Sequence, residues 1–538
     1  MLLKGVGASA GAAIAHIFYI KQLDLSVERQ EGRDPEAETS RFESAKAQAF
    51  SELDKLFEKT AVNDSAAAQV FDIHKLMLDD PDFCDGVEAA IGSGLNAEYA
   101  VKTSADALID FLGTLENEVM RGRAADVRDV SERLIRILKG IEERDDTPSE
   151  EVIVLAEDLL PSQTVRLDRE KVSGFVTKRG SVTSHSVILA KTMGIPCIVG
   201  MGDSFDELPE SGELAIDGST GEVLVSPSES EREDFLHRVE SFRLQKEALE
   251  KYRDITAVTP KGHEVKVCAN IGGVADADAA NAFGAGGVGL FRSEFLYLES
   301  PGFPSEEKQF AAYKAVLEKL SPRPVVIRTL DLGSDKQAPY FNIPEEENPA
   351  LGYRAIRICL KEPQIFRTQL RALLRASVYG KLQVMFPMIT HLGQVLEIRE
   401  IVSKIKSELD SEGLPYSRDV EFGIMVETPA AAVMSDELAK VVDFFSIGTN
   451  DLTQYTMAAD RMNSRIRDIF NPADPAVLRF IEMTAKAAHA NGIWVGICGE
   501  SAADTALTDF YMSIGIDELS VSPASIPEVK KAVLSSNG

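Results

Sequence analysis

From residue 261 onward, short apolar runs alternate with helical stretches, and this repetition constrains the fold more than any other feature of the sequence. The predicted strands end at Asn270, Phe291, Ile327, Phe386, Val426, Ile447 and Ile497. Seven strand–helix units within about 275 residues match the size of a (β/α)8 barrel. We expect the eighth strand between residues 330 and 380, although no apolar run marks its position there.

The segment from residue 35 to residue 140 has a helical pattern. Apolar side chains such as Phe42, Ala45 and Ala49 recur there at steps of three and four residues. This spacing predicts a small bundle of amphipathic helices. Asp126 is predicted to cap the N-terminus of the last of these helices.

Strand signals lie on both sides of this bundle. Residues 2–20 are predicted to form strands, and short apolar runs follow at 152–155, 174–177 and 213–216. The Asp-Gly-Ser-Thr-Gly sequence at 217–221 is typical of a hairpin turn. We therefore expect one α/β domain into which the helical bundle is inserted.

The predicted fold class is multidomain α/β, with a C-terminal (β/α)8 barrel. The predicted segments are an α/β domain made of residues 1–25 and 146–227, an inserted helical domain at 26–145, a linker helix at 228–260, and the barrel at 261–538.

Composition narrows the class of protein. The chain has 57 Lys and Arg against 86 Asp and Glu, a net charge of −29, which argues against nucleic-acid binding. No run of about 18 apolar residues predicts a membrane span. Five widely spaced cysteines without a CxxC pair argue against a disulfide framework or a zinc site. They favour a reducing compartment, and we expect a cytoplasmic protein.

Polar groups follow several of the predicted barrel strands at their C-terminal ends, where barrels carry their functional groups. These residues are Arg292, Arg328, Glu427, Asn450, Asp451 and Cys498, and Arg461 follows shortly afterwards. Arginines hold phosphate or carboxylate groups through bidentate hydrogen bonds. Two carboxylates can hold one Mg²⁺ ion that keeps waters and binds substrate phosphate. Together they predict a site for a small phosphorylated anion.

Each of these residues also has a simpler interpretation. A strand-end arginine is often a surface salt bridge, and a lone Glu427 or Asp451 can be a cap or an ion-pair partner. Cys498 is either a buried, inert cysteine or an acid–base group beside the phosphate site. The joint placement of all these groups on successive strand ends favours the anion and metal site.

His185 lies at the start of a predicted helix over residues 186–193, after Thr183 and Ser184, which can cap it. The free N–H groups at a helix N-terminus favour an anion, and a neutral imidazole is a competent nucleophile for phosphorus. A histidine that only helps to cap the helix is the alternative interpretation.

Several of these segments match a known family. Thr183-Ser184-His185 followed by Ile195-Pro196, and Gly448-Thr449-Asn450-Asp451-Leu452-Thr453-Gln454-Tyr455 running on to Arg461, resemble its two signatures. Matches of the same kind are Arg123 to Asp129, Arg292 to Leu296, Arg328 to Asp331, Asn348 to Arg357, Met385 to Met388, Glu427 to Ala430 and Cys498 to Glu500. Through these matching segments, nearly the whole chain resembles the phosphoenolpyruvate–protein phosphotransferases, the Enzyme I family of the bacterial sugar phosphotransferase system.

The resemblance implies a role for each site residue. His185 would accept the phosphoryl group of phosphoenolpyruvate, and Cys498 would protonate the enolpyruvate left behind. The remaining implied roles are substrate binding by Arg292, Arg328, Arg461, Asn450 and Asp451, and Mg²⁺ binding by Glu427 and Asp451.

The resemblance also implies partners. The helical domain would bind HPr, a small histidine-containing carrier protein, through the mixed apolar and acidic stretch at 71–80. The barrel would form a homodimer. Because the histidine and the substrate site lie in different domains, we expect the α/β domain to swing between its two reaction partners, hinged near residues 145–150 and 225–262.

The sequence departs from the family pattern at three places. Gly180-Ser181 and Val182 stand where Gly-Gly and Arg are common, Lys191 replaces Arg, and Ser334 interrupts a Gly-Gly-Asp-Lys pattern. None of these changes removes a reactive group.

Three rival functions are less well supported. A dikinase or synthase needs a nucleotide domain, but residues 35–140 are predicted to be helical and no GxxxxGK[ST] motif is present. A regulatory relay of the nitrogen-related branch commonly carries an additional N-terminal sensory domain, for which we see no room. A catalytically inactive scaffold is disfavoured because every reactive residue is retained.

Overall fold

The computed structural model describes residues 1–21, 24–61, 65–114, 118–141, 148–180, 184–298, 300, 302–333, 339–341, 343–344, 346–461, 463–466 and 468–537. The chain forms two compact units, Met1–Gln245 and Lys246–Gly538. Each unit is described separately below. In the parts of the chain covered by these ranges, no helix has both the length and the apolar composition needed to cross a bilayer.

The first unit is built on an eight-stranded mixed sheet. Its strands are β1 (Leu2–Lys4), β2 (Val6–Ser9), β3 (Ala12–Ile20), β4 (Val152–Ala156), β5 (Val172–Thr177), β6 (Cys197–Val199), β7 (Glu213–Asp217) and β8 (Glu222–Val225). Their order across the sheet is β1-β8-β7-β3-β4-β5-β6-β2. All five residues of β4 are buried, as expected for a central parallel strand with both faces covered.

This sheet confirms two sequence predictions. Residues 2–20 supply three strands, and β3 pairs in parallel with β4 across more than 130 intervening residues. β7 and β8 pair antiparallel around the predicted turn, with Asp217 opposite Glu222. The helical segment between β3 and β4 is therefore an insertion in the sheet.

The inserted helices are α1 (Pro35–Ala61), α2 (Ser65–Leu78), α3 (Pro81–Gly92), α4 (Ala97–Thr114) and α5 (Glu118–Leu138). They share one apolar core to which every helix contributes, including Phe42, Phe71 and Leu134. The prediction that Asp126 caps a helix was wrong, because α5 continues through it. Its buried carboxylate instead faces Nε2 of the fully buried His74 of α2, at 3.3 Å.

Three further helices belong mainly to this unit: α6 (Pro161–Arg166), α7 (His185–Met193) and α8 (Glu229–Glu250). The predicted linker helix is thus present as α8. Its first half is fastened to the sheet, because Arg232 contacts Glu213 and Arg238 contacts Glu222. Phe235 packs there against buried Leu224 and Ala215.

The second unit is a closed parallel barrel, which confirms the predicted fold. Its strands are β10 (Glu264–Ile271), β11 (Val288–Arg292), β12 (Pro324–Arg328), β13 (Lys381–Phe386), β14 (Glu421–Val426), β15 (Phe444–Ile447), β16 (Trp494–Ile497) and β17 (Glu518–Val521), and β9 (Ala257–Val258) pairs with the start of β10. β10 pairs in parallel with both β11 and β17, so the eight strands form a ring.

The expected position of the eighth strand was wrong. The eighth strand is β17, near the C-terminus, and not a segment between residues 330 and 380. The described part of that segment holds the short 3-10 turns Pro339–Phe341, Pro349–Leu351 and Ser377–Tyr379 and two helices. β17 has only four residues and begins with Glu518, so it lacks the apolar run that marks the other strands.

Helices cover the outside of the barrel or begin at its strand ends. They are α9 (Val274–Ala282), α10 (Glu294–Leu298), α11 (Glu306–Leu320), α12 (Ile356–Lys361), α13 (Pro363–Ala376), α14 (Leu392–Glu412), α15 (Pro429–Val433), α16 (Ser435–Leu438), α17 (Thr449–Met457), α18 (Pro475–Ala490), α19 (Thr505–Ser513) and α20 (Ile526–Leu534). Inside the barrel, Phe444 stacks on Trp494, with ring centroids 4.4 Å apart. The interior is therefore packed, and the functional groups are confined to the strand ends.

Candidate functional site

Arg292 and Arg328 end neighbouring strands of the barrel. They are register partners on β11 and β12, so both guanidinium groups start from the same rim. Arg328 is buried, and Arg292 is half-buried. Among the described residues, no side chain forms an ion pair or a hydrogen bond with Arg292. Its donors are therefore available to an anion.

Arg328 is held by two carboxylates. Its Nη1 lies 2.9 Å from Oδ2 of Asp331, and its Nη2 donates to Glu294. Burial opposes the positive charge, but the Asp331 and Glu294 carboxylates outweigh it and raise the pKa of Arg328. Arg354 donates to the other oxygen of Asp331 at 3.0 Å, so Asp331 joins two buried guanidinium groups.

Sequence reasoning gave no role to Glu294, Asp331 or Arg354. All three are buried at the barrel mouth and determine the orientation of Arg328. The sequence contained a signal for two of these residues, namely their closeness to a strand-end arginine. Glu294 stands two residues after Arg292, and Asp331 stands three residues after Arg328. Arg354 lies in a loop without a local pattern, and only the fold brings it to Asp331.

Glu427 follows β14 and is 1% exposed. Its Oε1 accepts a hydrogen bond from the backbone N–H of Met388 at 2.6 Å. Burial, followed by the nearby carboxylate of Asp451, raises the pKa of Glu427 well above its usual range. Two carboxylates this close together without a cation favour the protonated form of one of them. A bound cation would stabilise both carboxylates in their charged form.

Asp451 and Asn450 lie in the first turn of α17. Asp451 is nearly buried, and the nearest guanidinium nitrogen of Arg461 is 4.0 Å from its Oδ1. The Asn450 side chain forms two bonds with Glu500: its Nδ2 donates to Oε1 at 3.2 Å, and its Oδ1 accepts from the Glu500 N–H at 3.0 Å. Asn450 therefore ties the loop after β15 to the loop after β16.

Cys498 follows β16 and is 3% exposed. Its Sγ lies 3.7 Å from the carbonyl oxygen of Ile447. Burial raises the pKa of this thiol to about 11. The charges of Arg328 and Glu427 both act on it, so the three groups lie near one another. A thiol in this state is protonated at neutral pH and can donate a proton.

The barrel mouth therefore brings together the predicted groups from the ends of five strands and the loops that follow them. Among the described residues, no cluster of three or more His, Cys, Asp or Glu is arranged as a metal cage. A pair of carboxylates beside several arginines is instead the arrangement that suits a cation shared with substrate phosphate.

His185 is the first residue of α7, and Ser184 occupies the N-cap position in an extended conformation. The helix begins one residue earlier than predicted and ends at Met193, and its C-cap Gly194 has a left-handed backbone. Ser181, Val182 and Thr183 lie outside the described residues, as do 334–336 in the barrel.

Comparisons with known proteins agree with this arrangement. Three family models match the chain in succession: PEP-utilising enzyme, N-terminal, at residues 4–123; PEP-utilising enzyme, mobile domain, at 148–221; and PEP-utilising enzyme, PEP-binding domain, at 246–537. The last match begins at the first residue of the second structural unit.

Curated relatives match over almost their full length. Phosphoenolpyruvate-protein phosphotransferase of Staphylococcus carnosus (strain TM300) is 43% identical, over 99% of this chain and 94% of the relative. The protein of that name in Bacillus subtilis (strain 168) is 44% identical, over 97% and 92%. The one in Lactococcus lactis subsp. cremoris is 43% identical, over 98% and 93%.

The barrel mouth and the three matched domains define an enzyme that uses phosphoenolpyruvate. Within that class, the chain belongs to the phosphoenolpyruvate–protein phosphotransferase family, as the sequence resemblance predicted. It is accordingly a transferase of phosphorus-containing groups.

Proposed function

We propose that this chain transfers the phosphoryl group of phosphoenolpyruvate to its own His185 and then to a histidine of the carrier protein HPr. Pyruvate is released, and the reaction is the first step of the sugar phosphotransferase system. One observation carries the proposal: Arg328 pairs with Glu294 and Asp331, and the charges of Glu427 and Cys498 also act on it, which supports an anion clamp, a metal ligand and an acid in one site.

Arg292, Arg328 and Arg461 would bind the phosphate and carboxylate of phosphoenolpyruvate, assisted by Asn450 and Asp451. Arg292 supports this role because its donors are not engaged by a described side chain, while Arg328 is fixed in place by Glu294 and Asp331. Fixed donors act without reorganisation when charge moves during phosphoryl transfer.

Glu427 and Asp451 would hold Mg²⁺. The electrostatic coupling between these buried carboxylates fits a divalent cation, which needs only one or two protein carboxylates beside water and substrate oxygens. When bound, Mg²⁺ neutralises negative charge on the phosphoryl group and the enol oxygen. The backbone N–H of Met388 donates to Oε1 of Glu427. The other oxygen, Oε2, lies beside Gly448: a Cβ added to Gly448 would be 3.1 Å from Oε2.

Cys498 would protonate the methylene carbon of enolpyruvate. The O–P bond of phosphoenolpyruvate breaks, and the phosphoryl group bonds to the imidazole of His185. The electron pair of the enolate C=C bond then takes the thiol proton, and the oxygen becomes the carbonyl of pyruvate. The high pKa of the thiol supports this role, since the proton is present at neutral pH.

His185 and the barrel mouth lie in separate units, and phosphoryl transfer needs near contact between the reacting atoms. We therefore infer that the α/β domain, which carries His185, swings between the barrel and HPr. The contacts of Arg232 and Arg238 fasten the first half of α8 to the sheet, which supports a hinge in the later part of the expected 225–262 segment. Residues 145–147 of the other expected hinge, at 145–150, lie outside the described residues.

The helical domain, assigned to residues 26–145, would bind HPr. In the stretch at 71–80, Phe71, His74 and Leu78 are buried, and Leu76 is 74% exposed beside the acidic Asp72 and Asp79. An exposed leucine with acidic neighbours suits a partner with a basic rim. Asp72 and Asp79 pair with Lys75 and Lys46, which are surface contacts that a partner can replace at small cost.

The barrel, assigned to residues 261–538, would form a homodimer. Exposed apolar side chains on its outer helices and loops support this proposal, among them Leu351, Val433 and Met434.

The five cysteines are free thiols, which supports a cytoplasmic location.

The test is incubation of the full chain with phosphoenolpyruvate labelled in its phosphoryl group, in the presence of Mg²⁺. We expect acid-labile label on the wild type and on the His237→Ala control, whose histidine is exposed on α8. We expect none on His185→Ala. Label that persists in His185→Ala would refute the acceptor assignment, and label that purified HPr cannot remove would refute the second transfer.

A further inference from the structure

Asn270 is the penultimate residue of β10, and its side chain bonds the ends of two other strands. Its Nδ2 donates to the carbonyl oxygen of Ser520 at 3.1 Å and to that of Cys498 at 3.4 Å. Its Oδ1 accepts the hydroxyl proton of Ser520 at 2.7 Å. Both amide hydrogens and the amide oxygen are therefore used at the barrel rim.

One of these bonds holds the peptide of Cys498 through its carbonyl oxygen. The Cys498 N–H donates to the carbonyl of Ile447 at 3.1 Å, and its own carbonyl faces the amide of Asn270. Asn450 holds the N–H of Glu500 two residues later. The backbone that carries the thiol is thus held at both polar groups of Cys498 and again at Glu500.

We propose that Asn270 is a positioning residue for the thiol of Cys498, and that it directs the thiol proton to one face of enolpyruvate. The inference rests on the proposed role of Cys498 as the acid. In that step the S–H bond breaks, a C–H bond forms at the methylene carbon, and the resulting thiolate regains its proton from water before the next turnover.

The chemistry of the site requires an amide. Two backbone carbonyls converge on Nδ2, so a carboxylate at position 270 would put negative oxygens against them. An alanine would leave both carbonyls and the Ser520 hydroxyl without this partner. A proton donor that is displaced by about 1 Å loses much of its advantage over water.

The stereochemistry of protonation tests this directly, because a role in the stability of the barrel alone would not change it. Full-length protein, loaded with Mg²⁺ and HPr, turns over phosphoenolpyruvate that carries deuterium at one methylene position, in tritiated water. The configuration of the chiral methyl group of pyruvate is then measured. Proton delivery by a fixed thiol gives one configuration, and delivery by water gives a racemic product.

We expect one configuration from the wild type and a largely racemic methyl group from Asn270→Ala. The matched control is Asn281→Ala. Asn281 is a half-buried asparagine of the barrel unit that also donates to a backbone carbonyl, that of Lys319, at 3.2 Å. It lies on α9 and not at a strand end. It should give the wild-type configuration. If Asn270→Ala does not fold, Ser520→Ala removes the donor to Oδ1 and should give a partly racemic product.

Cys498→Ser separates this inference from the proposed function. A racemic product from Cys498→Ser with a single configuration from folded Asn270→Ala would overturn the role of Asn270 and leave the acid assignment intact. A single configuration from Cys498→Ser would refute Cys498 as the acid and the inference with it. Loss of the preferred configuration in Asn281→Ala would also overturn the inference, since general loosening of the barrel would then explain the effect.

Discussion

The carboxylate of Glu427 accepts a hydrogen bond from the backbone N–H of Met388, and Met388 holds a left-handed backbone with φ of +56° to make it. Such a conformation is costly for a residue other than glycine, asparagine or aspartate. It persists because the loop is fastened to the residues that follow β14, where the Thr428 hydroxyl donates to the carbonyl of Ile389 at 2.9 Å. One oxygen of Glu427 is thus fixed by the fold.

Replacing Glu427 with Gln tests its role as a ligand. Gln keeps an oxygen for the Met388 N–H but removes the negative charge that would attract Mg²⁺. We expect the metal concentration for half-maximal phosphorylation to rise by about 100-fold, and direct binding of Mn²⁺, measured by electron paramagnetic resonance, to weaken in parallel. Glu437→Gln, an exposed glutamate paired with Lys440, is the control. Unchanged Mn²⁺ binding in Glu427→Gln would contradict the assignment.

Arg328→Lys tests the anion clamp. A lysine cannot contact Glu294 and Asp331 at once and still present donors to an anion, because it lacks the planar fork of the guanidinium group. We expect kcat/KM for phosphoenolpyruvate to fall by about 100- to 1,000-fold. The control is Arg367→Lys, whose arginine pairs with Glu408 on the outer helices. Similar losses in both variants would point to general damage to the barrel.

Gly499→Ala tests the close approach of the two loops that carry Asp451 and Cys498. A Cβ at Gly499 would lie 1.9 Å from Oγ1 of Thr449 and 2.7 Å from its backbone nitrogen. The loops must then separate, and we expect a loss of about 1–3 kcal/mol in stability and at least tenfold in kcat. Gly302→Ala, where nothing lies within 4 Å, should change neither quantity. Thermal unfolding and steady-state rates provide the measurements.

Glu518 makes the stability of the barrel depend on pH. It is buried, and burial raises its pKa to about 7, although its carboxylate accepts from the Cys268 thiol at 3.3 Å. An unfolded glutamate titrates near 4.3, so the folded chain holds the extra proton between these values. This contribution to stability is fully present below about pH 4.3 and is lost as pH rises through 7.

In Glu518→Gln this pH dependence should disappear. Between pH 5 and pH 9, the free energy of unfolding of the wild type should fall relative to the variant by roughly 3 kcal/mol. The fluorescence of Trp494, the single tryptophan, reports unfolding of the barrel. Glu482→Gln, an exposed glutamate on α18 that pairs with Lys486, should follow the wild type. Parallel curves for the wild type and Glu518→Gln would contradict the prediction.

The buried pair of Asp126 and His74 should stabilise the helical domain. Asp126→Ala leaves Nε2 of the fully buried His74 without its partner, at a cost of about 1–3 kcal/mol. Hydrogen exchange in α2 and α5 should accelerate correspondingly. Asp106→Ala, in an exposed ion pair with Lys102, should have little effect. Equal exchange rates in both variants would mean that the buried pair contributes nothing.

The sequence predicted the barrel and most of its rim because both depend on local patterns. Apolar runs mark the strands, and parallel pairing then places the residue after each strand on the same rim, as for Arg292 and Arg328. The partner that each polar side chain contacts depends on loops that pack against one another only in the folded chain. The contact of Arg354 with Asp331 and that of Asn450 with Glu500 therefore had no signal of their own.

Two wrong sequence predictions, the helix cap at Asp126 and the position of the eighth strand, have the same physical origin. Asp126 has the composition of a helix cap, but α5 continues through it because His74 on another helix satisfies its carboxylate. Glu518 begins a strand without an apolar run, and neighbouring strands supply its pairing. In both cases tertiary contacts outweigh local preference.

The pairing of β10 with β17 affects how the chain folds during synthesis. Cys268 and Ser520 are neighbours in the ring although about 250 residues separate them. A ribosome must therefore deliver almost the entire second unit before the ring can close, whereas the first unit can close once β8 has emerged to pair with β1. Domains generally fold in order of synthesis. Until β17 arrives, β10 keeps an open edge, and this interval is when nascent chains are most prone to aggregate.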